Sequence, residues 1–68
     1  MKLSVGDIVE VATDGQLENG ISIPGKITEV KEYKNADNLY VILPFNWNQH
    51  VVLREPLKRL PKETYKRI

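Results

Sequence analysis

The sequence predicts an all-β fold in which five short strands wrap into one small barrel. Three observations lead there. The apolar residues fall in short runs, and no segment of ten or more residues carries a helical period. Turn signals separate those runs. In a chain of 68 residues, closure is the economical way to remove exposed sheet edges.

The elements follow in order. Gly6-Asp7 suits a turn, and Ile8 to Ala12 reads as the first strand, with Val5, Val9 and Val11 on one face and Ile8 and Glu10 on the other. Thr13 to Pro24 holds Asp14-Gly15 and Asn19-Gly20, and Pro24-Gly25 closes it, so it reads as a loop. Its Leu17, Ile21 and Ile23 fold it back onto the body. Gly25 to Tyr33 is the second strand. Ile27 and Val30 are off strict alternation, which predicts a bulge around Thr28-Glu29. The polar stretch Lys34 to Asn38 is a hairpin connection to the third strand, Leu39 to Leu43. Pro44 ends regular pairing there or sits on an edge. Asn46 to Gln49 is a polar loop carrying Trp47, and His50 to Arg54 is the fourth strand. Pro56 to Pro61 is bounded by prolines and predicts a single 3₁₀ turn before the last strand. Lys62 to Ile68 is a short last strand or a frayed tail.

Composition narrows the function classes. The chain has 41% hydrophobic and 28% charged residues and a formal net charge of +1, too apolar and too neutral for a disordered chain. One domain spans 1–68, with a core over about 4–61 and a basic C-terminal end at 62–68. A chain this short buries only about 60% of its unfolded surface. Zero Cys excludes a disulfide scaffold and a thiol nucleophile, and a single His makes a His-based metal site improbable. The mostly apolar run Leu39 to Phe45 is far shorter than the roughly 20 residues of a membrane span. No apolar signal core follows Met1, so the expected location is cytoplasmic. Neither a nucleophile elbow, a Walker loop, a dinucleotide fingerprint nor a metal-ligand cluster is present, so neither an enzyme nor a cofactor is expected.

Charge is uneven. Residues 1–53 hold four Lys against seven Asp and Glu, a balance of −3, and residues 54–68 hold six Lys and Arg against two Glu, +4. The basic footprint of a nucleic-acid-binding domain does not extend over the whole chain.

The series Gly6-Asp7-x-Val9-x-Val11, Gly25-x-Ile27-x-x-Val30, Tyr40-x-Ile42, Val52 and Leu57-Lys58-Arg59-Leu60 resembles the SH3-like small β-barrels, most closely the KOW, Tudor and Agenet modules. Other barrels of this layout are accessory subunits of larger complexes. The resemblance implies a five-stranded SH3-like barrel and a binding role. Two departures are informative. Tudor-type readers draw part of an aromatic cage from the first long loop, and Ala12 to Pro24 has no aromatic residue. RNA-binding KOW modules present basic residues there, and this loop carries Asp14 and Glu18 instead.

Trp47, an aromatic in a polar loop, is a candidate anchor for a protein partner, with Tyr33, Tyr40 and Phe45 as neighbours in an aromatic patch or as packing residues. The third strand is apolar on both faces: Leu39, Val41 and Leu43 against Tyr40 and Ile42. Either the first loop or another chain covers the outer face. The leading expectation is therefore a non-enzymatic module for protein–protein association or self-association. The alternative is RNA or DNA binding, with Arg54, Lys58, Arg59, Lys62, Lys66 and Arg67 on phosphates and Trp47 or Tyr33 stacked on a base. His50 has no evident partner and reads as a surface residue.

Overall fold

The computed structural model describes residues 2–11 and 23–65. Five antiparallel strands form one sheet: β1 (Ile8–Val11), β2 (Ile23–Lys31), β3 (Leu39–Pro44), β4 (Val51–Arg54) and β5 (Arg59–Leu60). Their order across the sheet is β4-β3-β2-β1-β5. The all-β, five-stranded expectation is therefore met. The wrap-around closure is not: β4 and β5 stand at opposite ends of the strand order, and no pairing joins them among the described residues. β5 is two residues long between Pro56 and Pro61, too short a ladder to seal a barrel. The first loop and the last three residues lie outside the described residues.

The chain enters through a tight turn. The Asp7 N–H donates to the Ser4 carbonyl (3.0 Å), and Gly6 adopts φ 96°, the left-handed conformation this turn needs at its third residue. Val5 is therefore in the turn and 63% exposed, not on the strand face with Val9 and Val11. Val9 and Val11 are buried on the inner face, and Ile8 and Glu10 point to the other.

β2 starts at Ile23, so Pro24-Gly25 lies inside a strand and not in a loop. Pro24 stands at the end of the β2–β3 ladder, where a missing N–H costs one bond, and its carbonyl accepts from the Phe45 N–H (2.9 Å). Gly25 sits where strands crowd: a Cβ there would lie 2.5 Å from Ile42 Cγ2 and 2.7 Å from Val11 Cγ2. The bulge is where the sequence places it. The β2–β3 register shifts between Ile27 and Glu29, leaving Thr28 unpaired, so that Ile27 faces Ile42 and Val30 faces Tyr40 on the same side. The Thr28 hydroxyl donates to the Val41 carbonyl (3.2 Å).

The inner face is the core. Leu3, Val9, Val11, Ile27, Tyr40 and Ile42 pack together, joined by the half-buried Val30, Val51, Leu53 and Leu57. Leu3 and Leu57 come from connecting segments and pack against this face.

β3 runs one residue past the expected end. Pro44 pairs with Gly25, and its ring nitrogen faces away from β2, beyond the last β3–β4 pair, Ile42 with Val51. The Trp47 N–H then donates to the Pro44 carbonyl (3.1 Å) around Asn46 at φ 67°, a turn position that suits asparagine.

The Pro-bounded segment differs in detail from expectation. Arg59 and Leu60 pair with Val9 and Ile8, and the Glu10 N–H donates to the Lys58 carbonyl (2.8 Å). Pairing with β1 extends this stretch as a strand. Among the described residues the single 3₁₀ turn is Lys62–Thr64, just after Pro61. Beyond it the Tyr65 hydroxyl donates to the Leu43 carbonyl (3.2 Å), and its ring meets Phe45 edge-on at 6.0 Å.

Candidate functional site

Pairing fixes which side chains share the outer face. Leu39 stands opposite Arg54 and Val41 opposite Val52 on β3 and β4, and Lys31 and Glu29 continue the two rows onto β2. Leu39 and Val41 are half-buried, and Val52 is 55% exposed. This is the doubled apolar face read from the sequence. The core takes Tyr40 and Ile42, and the outer row is left partly open.

At the hairpin end of this face lies a pocket of about 290 Å³, lined by Tyr33, Ala36, Asp37, Leu39 and Arg54. Its chemistry is mixed: a phenol ring 50% exposed in the whole residue, an apolar floor at Leu39, a carboxylate and a guanidinium. Among the described residues neither Asp37 nor Arg54 forms an ion pair. A space this size is at the small end for ligand sites and suits a single side chain.

Tyr33 stands apart from the other exposed or half-buried aromatic residues. Tyr40, a candidate for the patch or for packing, is 1% exposed and packs in the core opposite Val30 and Leu53. Tyr33 follows the end of β2, beside the start of β3; Phe45 and Trp47 follow the end of β3, about 17 Å further along the strand. Phe45 packs on Tyr65, and Trp47 is half-buried with its N–H closing the turn.

The basic set also separates. Arg54 lies on β4, at one edge of the sheet, and Arg59 lies on β5, at the other. Arg59 Nη2 reaches Asp7 Oδ1 at 3.3 Å, so it holds a buried carboxylate. Lys58 and Lys62 are exposed, and Lys66 and Arg67 lie outside the described residues. His50 is exposed at the start of β4. Among the described residues no group of three or more His, Cys, Asp or Glu gathers as a metal site, and no helix is long and apolar enough to cross a membrane.

Sequence reasoning did not single out Asp37 and Ala36 as site residues. They stood in a polar turn, and only the return of β4 beside β3 brings Arg54 to the same pocket. Asp7 was legible as a turn residue, but its ion pair joins positions 52 apart and leaves no local signal.

No protein-family model matches the chain, and no curated protein or solved structure matches it either.

Proposed function

We propose that the chain is a non-enzymatic SH3-like module of the KOW, Tudor and Agenet kind that works by protein–protein association, free-standing or as a subunit of a larger complex. The fold reading draws support from the pairing of β5 with β1, which returns the end of the chain beside its start. The observation that carries the function is the outer face of β3 and β4. Val52 is 55% exposed beside the half-buried Val41 and Leu39, and the row runs into the pocket formed by Tyr33, Asp37 and Arg54. An exposed apolar row with a mixed-charge pocket at its end fits an interface with an apolar centre and a polar rim.

The nucleic-acid reading has less support. Arg59 is engaged with Asp7, and Arg54 is on the far edge strand, so the basic residues present no single stripe for a phosphate backbone.

The test is a photo-crosslinking residue placed at Tyr33 or at Val52 in the native source, with Lys58, exposed beside the opposite edge strand β5, as the control position. Attachment of a protein at the first two positions and not at the third supports association through this face. No attachment at either contradicts it.

A further inference from the structure

The edges of the sheet differ. β5 is two residues long, preceded by Pro56 and followed by Pro61 and a 3₁₀ turn, so little of it is open to pairing. β4 is four residues long and, among the described residues, pairs on one side only. The direction of its polar groups follows from β3. The Phe45 N–H points to Pro24 on β2, so with alternation Leu43 also points to β2, while Ile42 and Tyr40 point to β4. Val51 and Leu53, their opposites, bond back to β3. The N–H and C=O of Val52 therefore face away from the sheet.

We propose that β4 pairs antiparallel with β4 of a second copy, about a two-fold axis at Val52. The inference rests on the association reading and names its partner. The strand is complementary to itself in that register. Val52 meets Val52 of the second copy, and Val51 meets Leu53. Arg54 meets His50 and Glu55 meets Gln49, so no like charges stand opposite. Such an isologous contact closes on itself and stops at two copies. A net charge of +1 sets little repulsion between them. The pairing also continues the apolar rows: Val52 across the axis on the outer face, and the half-buried Val51 and Leu53 on the inner.

A four-residue edge makes a small interface, so assembly should be reversible, with the mass in solution rising from one chain toward two between about 10 μM and 1 mM. The chain has no cysteine, so a Val52→Cys variant carries a single thiol that faces its own copy across the axis. Under mild oxidation it should form a disulfide-linked dimer in far higher yield than Val5→Cys, whose position is equally exposed. Val52→Pro removes the outward N–H, Val52→Lys sets two ammonium groups face to face, and both should hold the mass at one chain. Val52→Thr should keep the assembly. A wild-type mass of one chain at about 1 mM, or equal cross-linking of the two cysteine variants, overturns the self-pairing. If photo-crosslinking at Val52 in the source then attaches a different protein, the association reading stands without the second copy. If it attaches nothing at Val52 or Tyr33, both fail.

Discussion

The Asp7 carboxylate, buried in the N-terminal turn, ties the two ends of the chain together. One oxygen accepts from the Ser4 N–H at 2.9 Å, and the other receives Arg59 of β5 at 3.3 Å. The acid side chain is 7% exposed and the arginine side chain 44%. The pair thus fixes both the entry to β1 and the short strand beside it. A buried carboxylate that loses its partner is costly, whereas the half-exposed Arg59 is partly screened by water. Arg59→Ala should therefore destabilise by roughly 1–3 kcal/mol, below the full cost of breaking a buried pair. Urea unfolding of Arg59→Ala beside Lys58→Ala checks this, because the exposed Lys58 should change stability by less than about 0.5 kcal/mol.

Gly25 is the tightest point between β1, β2 and β3. The methyl of Gly25→Ala would press on Ile42 and Val11, both buried. The expected loss is about 1–3 kcal/mol, read as a lower urea midpoint with an unchanged slope. A stability equal to the wild type would mean that the strands do not approach this closely.

The bulge at Thr28 sets which side of β2 faces the core on each half of the strand. Deleting Thr28 leaves Ile27 and Val30 two residues apart, so both still face the core on an unbulged strand, and what is lost is the local bend and twist. The cooperative thermal transition should persist at a lower midpoint. Thr28→Ala, which keeps the residue count and loses one side-chain bond to Val41, should cost only about 0.5–1.5 kcal/mol.

Scattered cations and an engaged Arg59 predict no nucleic-acid binding. Titrating an oligonucleotide at low salt should leave Trp47 emission unchanged. A change that disappears with added salt would instead restore phosphate recognition by the C-terminal end.

Much of this fold is legible in local pattern. Ile27 and Val30, one residue out of phase, announce the bulge, and the two apolar faces of Leu39 to Leu43 announce both the core and the open row outside it. What local pattern misses is set by distant pairing. Pro24-Gly25 has the composition of a turn, yet β1 and β3 on either side hold it extended. Arg59-Leu60 looks too Pro-bounded for a strand until β1 lies beside it. For the same reason Arg59 read as one of six free cations, when its partner was 52 positions away. The pocket is a product of topology too, since Asp37 and Arg54 come to line it together only after the β3–β4 turn brings the chain back.

The central claim, that β4 is the edge on which this module associates, is tested most directly by amide hydrogen exchange along β4 at two protein concentrations. The Val51 and Leu53 amides, bonded to β3, should be protected at both. The Val52 amide should exchange quickly at about 10 μM and slow by roughly two- to fivefold near 1 mM, where assembly is expected. A Val52 amide that exchanges equally fast at both concentrations would contradict self-association through this edge.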